Sequence, residues 1–262
     1  MWEAVTILPK VAVDGDIVAH NELVTDVWRM EVEARPIARE GEPGQFVQLQ
    51  IPQGGFTLRR PVGIAEIDRQ KGTVAFIYRV VGKGTKALSK LPVGSQINVL
   101  GPLGHGFSLQ AKHPLLVGGG MGLSPLLCYA EHSQGKASVL MGGRCERELF
   151  WQKIYAPNVQ DVFCTTDDGS CGTKGFTTTL LPELLRQGDY DLVIACGPEI
   201  MMQGIARIAH EHGVPCQVSL EKRMGCGLGA CLSCSIDTTR GERKKVCKDG
   251  PVFWAEEVFD LK

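Results

Sequence analysis

Pro114-Leu-Leu-Val-Gly-Gly-Gly-Met-Gly-Leu-Ser-Pro125 lies near the middle of the 262-residue chain. An apolar run leads into glycines at 118, 119, 120 and 122, and a helical pattern then continues to His132. A short buried strand, a glycine turn and a helix start form the opening of a β–α unit. The N–H groups of such a loop, with the helix dipole behind them, suit a pyrophosphate. Pro125 falls near the first helical turn, where its missing N–H costs little. The apolar stretch of residues 113–130 is broken by four glycines and two prolines, which fits this loop and not a membrane span.

Outward toward the C-terminus the same grammar repeats. Strands are expected over residues 137–141, 160–165, 191–196 and 214–220, with helical segments over 147–155, 178–186 and 199–211. Alternation of this kind predicts a doubly wound, parallel α/β sheet, whose ligands bind at the carboxyl ends of its strands. Two more loops end at that edge: Thr165-Thr-Asp-Asp-Gly-Ser-Cys-Gly-Thr-Lys-Gly175 and Cys196-Gly-Pro198. Taken alone, Cys196 reads as a small buried apolar residue, and Asp167 and Asp168 read as turn formers. The familiar dinucleotide fingerprint also wants an acid at the end of the second strand. That strand ends in Met141-Gly-Gly-Arg144 instead. Arg144 is open to three readings: a surface charge, a ribose contact or a 2′-phosphate partner.

Toward the N-terminus the period changes to two. Residues 24–32, 45–51, 61–67, 73–81 and 96–100 read as short strands with Gly/Pro turns between them, ending one strand at Pro52-Gln-Gly-Gly55. This predicts an antiparallel β-barrel, with a short helix over 85–90 capped by Thr85. Three motifs interrupt it: Leu58-Arg-Arg-Pro-Val-Gly-Ile64, Ile77-Tyr-Arg-Val-Val-Gly-Lys-Gly-Thr85 and Gly101-Pro-Leu-Gly-His-Gly-Phe107. An arginine fork at Arg59 or Arg60 suits a pyrophosphate, backbone N–H groups at Gly82, Gly84 and Thr85 suit the same anion, and Tyr78 suits stacking on a ring.

Past the α/β unit stands Glu221-Lys-Arg-Met-Gly-Cys226-Gly-Leu-Gly-Ala-Cys231-Leu-Ser-Cys234, with Cys247 beyond it. The spacing C-x4-C-x2-C-x12-C matches the plant-type [2Fe–2S] pattern. A structural zinc site usually pairs its cysteines as C-x2-C twice, and only one such pair is present. The remaining cysteines, such as Cys128, Cys164 and Cys196, lie in apolar runs, as in a reducing compartment. Net charge is −1, which argues against nucleic acid or an anionic membrane as partner. Residues 1–10 lack a basic segment followed by an apolar core, so a cytoplasmic, soluble protein without a leader is expected.

Three segments follow: 1–110, a β-barrel with an Arg-Pro motif; 111–215, a nucleotide-binding α/β unit; and 216–262, an iron–sulfur segment. Their order and motifs resemble the ferredoxin reductase superfamily. The most specific stretches are Thr166-Asp-Asp-Gly-Ser170, Lys174-Gly-Phe176, Cys196-Gly-Pro198, the cysteine run, and Val246-Cys-Lys-Asp-Gly-Pro-Val-Phe253. More narrowly, they resemble the electron-transfer subunits of NAD-dependent (class 1B) dihydroorotate dehydrogenases.

The resemblance implies FAD held at Arg60, Pro61, Val62 and Gly63, at Ile77, Tyr78 and Arg79, and at Gly84 and Thr85. The family's usual serine is replaced by Gly63. It implies NAD as substrate across Gly119, Gly120 and Gly122, its nicotinamide near Cys196, Gly197 and Pro198. The [2Fe–2S] ligands would be Cys226, Cys231, Cys234 and Cys247. No side chain is implied as a catalytic acid or base. The implied partner is an FMN-containing, dihydroorotate-oxidising subunit, assembled as two of each, in pyrimidine (UMP) biosynthesis. A cluster carries single electrons and nicotinamide takes a hydride, so a flavin must stand between them. Two other readings compete: a reductase subunit of the sulfide dehydrogenase or ferredoxin:NADP oxidoreductase type, and a zinc-stabilised binding module.

Overall fold

The computed structural model describes residues 10–52 and 55–261. The leader reading at residues 1–9 and the glycine turn at residues 53–54 lie outside the described residues. The first segment contains β1 (Val11–Val24), β2 (Val27–Glu33), α1 (Arg35–Glu40), β3 (Phe46–Gln50), β4 (Arg60–Gly63), β5 (Glu66–Asp68), β6 (Thr73–Arg79), α2 (Lys83–Leu88) and β7 (Gln96–Leu103). The strands form one sheet in the order β4-β3-β7-β1-β2-β6-β5, with antiparallel neighbours.

Strand β1 is the longest, at 14 residues. Its first half pairs with β7 and its second half with β2, so this one strand turns the sheet on itself. Ile17, Met30, Val32, Leu49, Phe76 and Val99 fill the interior. Burying each such side chain contributes roughly 1.5–3 kcal/mol.

Two expectations shift in detail. The strand expected over 61–67 divides into β4 and β5, which pair with β3 and β6 at opposite edges of the sheet. The helix expected to start at Thr85 starts two residues earlier. Thr85 Oγ1 accepts from the N–H groups of Val81 (2.9 Å) and Gly82 (3.2 Å), so the hydroxyl reaches back and closes the turn from inside the helix.

The second segment follows the expected alternation: β8 (Pro114–Gly119), α3 (Leu123–His132), β9 (Ser138–Gly143), a 3-10 turn (Glu146–Leu149), α4 (Trp151–Tyr155), β10 (Val162–Thr166), β11 (Thr173–Lys174), α5 (Thr177–Gln187), β12 (Leu192–Cys196), α6 (Glu199–Glu211) and β13 (Cys216–Ser219). After it come β14 (Ser235–Asp237), β15 (Arg243–Lys245), α7 (Val246–Asp249), β16 (Val252–Trp254) and α8 (Ala255–Val258).

The second sheet has the order β11-β10-β9-β8-β12-β13-β16. Its strands are parallel except β16, which runs antiparallel to β13. The boundary expected after residue 215 falls just before β13, and β16 returns to the same sheet. The cysteine segment is therefore stitched to the α/β unit at both ends.

Two contacts join barrel and α/β unit where the ligand cavities lie. Ser124, buried at the start of α3, donates through Oγ to Ile77 O of β6 (2.9 Å). Gly63 of β4 faces Pro125 so closely that a Cβ there would stand 3.1 Å from the proline Cβ. A serine at this position would press on the first turn of α3, which gives a packing reason for the glycine. Among the described residues, no helix is long and apolar enough to cross a membrane.

Candidate functional site

Two cavities and one cysteine loop line up along the carboxyl edge of the second sheet. The first cavity, of about 400 Å³, lies between barrel and α/β unit. Of the residues expected at the flavin, Arg60, Pro61, Val62, Gly63, Ile77, Tyr78, Arg79 and Thr85 all line it. Gly84 does not. It lies behind Arg60, where a Cβ would come within 2.4 Å of Arg60 Nε, so only a glycine leaves room for the guanidinium.

The two neighbouring arginines have separate partners. Arg59 spends its fork on the barrel, donating to Gln48 O (3.2 Å), Asn98 O (3.3 Å), Asn98 Oδ1 (2.6 Å) and Gln50 Oε1 (3.1 Å). Arg60 donates through Nη1 to Leu58 O (2.6 Å) and sits 5.2 Å from the centre of the Phe56 ring. Tyr78 turns its ring to the cavity, and its hydroxyl meets His20 Nε2 at 3.0 Å. His20 Nδ1 lies 2.7 Å from Leu91 O, so that nitrogen carries the proton and Nε2 accepts from Tyr78. Burial pushes the Tyr78 phenol up and the His20 imidazole down, keeping this pair neutral.

The second cavity, of about 620 Å³, opens over the glycine loop. Gly119, Gly120, Gly122, Gly197 and Pro198 line it, whereas Cys196 faces the first cavity. Gly122 is held against β12: a Cβ there would stand 2.2 Å from Cys196 O. The Cys196 side chain is 1% exposed, burial pushes its thiol up, and Sγ lies 3.7 Å from Ser219 O. It is thus a neutral packing group, not a nucleophile.

Arg79, Met121 and Glu221 line both cavities, so the two meet there. Among the described residues, Arg79 Nε and Thr177 Oγ1 are buried polar atoms without a hydrogen-bond partner. Both residues line the second cavity. Unpaired buried donors are costly, and a polar ligand would satisfy them. These lining groups fit a flavin in the first cavity and a dinucleotide in the second.

Residues 221–234 contain no helix or strand. Backbone N–H groups instead aim at sulfur. Leu228 N and Cys231 N donate to Cys226 Sγ (both 3.3 Å), Gly229 N to Cys247 Sγ (3.2 Å) and Cys247 N to Cys234 Sγ (3.5 Å). Among the described residues, no group of three or more His, Cys, Asp or Glu side chains is arranged to hold a metal ion. Two of the N–H bonds to sulfur tie the backbone of Cys231 to the Cys226 sulfur and that of Cys247 to the Cys234 sulfur.

Four cysteines are the donor set of a two-iron cluster, two thiolates to each iron, and Cys226, Cys231, Cys234 and Cys247 supply them. The four cysteines differ in setting. Cys234 and Cys247 are buried, and burial with the neighbouring Cys234 raises Cys247 to about 12. Cys231 is lowered to about 6, first by the Ser233 hydroxyl, whose Oγ lies 3.2 Å from its sulfur. Met224, two residues before Cys226, lines the first cavity, and the Gln48 amide of β3 lies 4.0 Å from its sulfur.

Comparison with known proteins adds to this geometry. Residues 221–259 match the iron–sulfur cluster binding domain of dihydroorotate dehydrogenase B, and residues 16–107 match an oxidoreductase FAD-binding domain. The dihydroorotate dehydrogenase B (NAD(+)) electron transfer subunit of Caldanaerobacter subterraneus subsp. tengcongensis is 36% identical over 93% of this chain and 96% of its own. That of Desulforamulus reducens is 36% identical over 94% and 97%.

The chain belongs to this family of electron transfer subunits.

A solved chain of the NADH-dependent reduced ferredoxin-NADP oxidoreductase is also similar, at 32% identity and a TM-score of 0.83, covering 94% of this chain and 90% of that one. Several residues lining the cavities are not among the expected site residues, Met121, Met224, Glu221 and Glu148 among them. Met121 sits inside the glycine loop and Met224 beside the cysteine run, so both were near visible motifs. Glu221 heads the same run, whereas Glu148 carries no signal beyond being an acid, because it is the folded chain that turns it into the second cavity.

Proposed function

We propose that this chain is the electron-transfer subunit of a dihydroorotate dehydrogenase of the NAD-dependent type, acting in pyrimidine biosynthesis. Its partner would be an FMN-containing, dihydroorotate-oxidising subunit, in a cytoplasmic assembly of two copies of each. Cys226, Cys231, Cys234 and Cys247 would hold the [2Fe–2S] cluster. Arg60, with Pro61, Val62, Gly63, Ile77, Tyr78, Arg79, Gly84 and Thr85, would hold FAD. Gly119, Gly120, Gly122, Gly197 and Pro198 would receive NAD, with Cys196 packed behind the meeting point of the two cavities. When bound, the cluster carries single electrons and FAD converts them into the hydride that nicotinamide accepts.

The chain's own residues position and insulate. Arg60 offers a charge-assisted contact to a phosphate, Tyr78 offers a ring face, and the N–H groups at 228, 229, 231 and 247 stabilise thiolate charge. The observation that carries this reading is the seating of Met224. One residue belongs both to the wall of the first cavity and to the loop that bears Cys226, and the first cavity shares Arg79, Met121 and Glu221 with the second.

Mixing the purified, cofactor-loaded chain with an FMN-containing dihydroorotate-oxidising subunit tests the reading. Dihydroorotate-dependent formation of NADH is expected only when both are present. If the mixture stays silent while the chain alone passes electrons from NADH to a dye, the alternative of a reductase serving another partner takes its place. The 32% identity to the ferredoxin-NADP oxidoreductase chain is the observation that favours that second reading.

A further inference from the structure

An NAD site commonly carries a carboxylate at the end of the second strand, where it takes the ribose 2′-hydroxyl. Strand β9 is that strand, and its end, Gly142-Gly143-Arg144, has no acid. The fold supplies one from beyond the strand. The 3-10 turn brings Glu148 back against Arg144, where its carboxylate accepts from Arg144 N (2.9 Å), Nε (2.8 Å) and Nη2 (2.5 Å). The Arg144 side chain is 78% exposed and that of Glu148 21%, so the guanidinium lies outward and the carboxylate inward. Both line the second cavity.

The order of strands tells which end of a dinucleotide would meet them. The second cavity joins the first at Met121, just after β8, and at Arg79 and Glu221. A nicotinamide exchanging hydride with a flavin must lie at that junction. Strand β9 is one step from β8 on the side away from β12, with β10 beyond it. The adenosine half must therefore extend over the ends of β9 and β10. A 2′-phosphate carried there would need a guanidinium fork and free N–H groups. The Nε–Nη2 edge of Arg144 and its N–H are already taken by Glu148. Hydrogen bonds from Arg144 also hold the Glu148 carboxyl below the usual carboxylate range, so it stays charged at neutral pH.

We propose that Glu148 sets dinucleotide choice: it occupies the donors of Arg144 that a 2′-phosphate would use, offers its remaining lone pairs to the ribose diol of NAD(H), and repels NADP(H). This rests on the second cavity being the nicotinamide dinucleotide site. Neither residue alone carries the idea, because Arg144 by itself reads as a phosphate ligand and Glu148 by itself as a helix-turn acid. Their mutual engagement inverts the preference that Arg144 would otherwise give.

The test uses the full chain with its cofactors. Adenosine 5′-phosphate and adenosine 2′,5′-bisphosphate are titrated calorimetrically into the wild-type protein, Glu148→Gln, Glu148→Ala, and Glu148→Ala combined with Arg144→Ala. NADH and NADPH are compared as dye reductants in parallel. The wild type is expected to favour the monophosphate and NADH, and loss of the carboxylate should shift both ratios toward the 2′-phosphorylated ligand by at least about tenfold. Adding Arg144→Ala should remove that gain.

The isosteric glutamine variant keeps the test open if the alanine variant is unstable. Equal wild-type binding of the two ligands, or ratios that stay within about twofold in both single variants, would overturn the role of Glu148. A wild-type chain that binds neither nucleotide nor NADH overturns the dinucleotide reading itself, and this role with it.

Discussion

At the carboxyl edge of the second sheet, every loop is fixed by strands on both sides. Gly118 pairs with Met141 on one flank and Cys196 on the other, and the glycine loop leaves from that point. The cysteine loop, a few residues past β13, has no ladder of its own across residues 221–234. Its backbone N–H groups look inward to sulfur. One half of the site is thus set by strand ladders, and the other by hydrogen bonds to the sulfurs that would ligate the cluster. This difference suits the division of labour. A dinucleotide must come and go on a rigid floor, whereas a resident cluster can be part of the floor.

The contrast breaks most sharply at Cys231. Changing it to Ser removes one of the four thiols, and the cluster should be lost, read as missing iron and missing charge-transfer absorption. FAD content and NADH-to-dye activity should persist, because the first cavity is lined mostly from the barrel and the sheet, with Glu221, Lys222 and Met224 the contribution of the cysteine segment. Loss of flavin together with the cluster would show that the cysteine loop, not the barrel, shapes that cavity.

Arg60→Ala tests the preformed half. It removes one charge-assisted contact, worth about 1.5–3 kcal/mol, or roughly 10- to 150-fold in FAD dissociation constant, measured by flavin release. Unchanged retention would move the phosphate contact away from this strand. Gly122→Ala is a smaller blow aimed at the sheet edge. Its Cβ would meet Cys196 O at 2.2 Å, and overpacking of this kind costs about 1–3 kcal/mol, seen as a lower melting temperature with the cluster intact.

The same division explains what could be read in advance. The cysteine spacing is a local signal, since four ligands to one cluster must recur at fixed separations, and the spacing alone pointed to iron–sulfur over zinc. The alternation of strands and helices after Lys112 is likewise local. What escaped is what folding brings from elsewhere. Residue type alone does not separate Arg59 from Arg60; the resemblance implies Arg60, and it is the folded barrel that occupies the Arg59 fork while Arg60 lines the first cavity. Strand β9 ends without an acid, and the acid that engages Arg144 at the cavity comes from Glu148, five positions past the strand end. The barrel's helix α1, with Pro36 in its first turn, gave too short a pattern to stand out from a turn.

Ser124→Ala probes the joint between the two preformed parts. Ser124 is 4% exposed, and its hydroxyl donates to Ile77 O on the neighbouring barrel strand. Losing this bond costs about 1 kcal/mol, and leaving a buried carbonyl without its donor can add to that. For a chain of this size the melting midpoint should fall by roughly 2–4 °C per kcal/mol. The change matters more to geometry than to stability. Ile77 lines the first cavity and Gly122 closes the second, and Ser124 lies two residues beyond that glycine. If the joint sets the distance between flavin and nicotinamide, hydride transfer measured in single turnover should slow while flavin affinity holds. A variant that melts earlier but transfers hydride at the wild-type rate would show that the sheet edge alone aligns the two cavities, and that Ser124 only fastens the domains together.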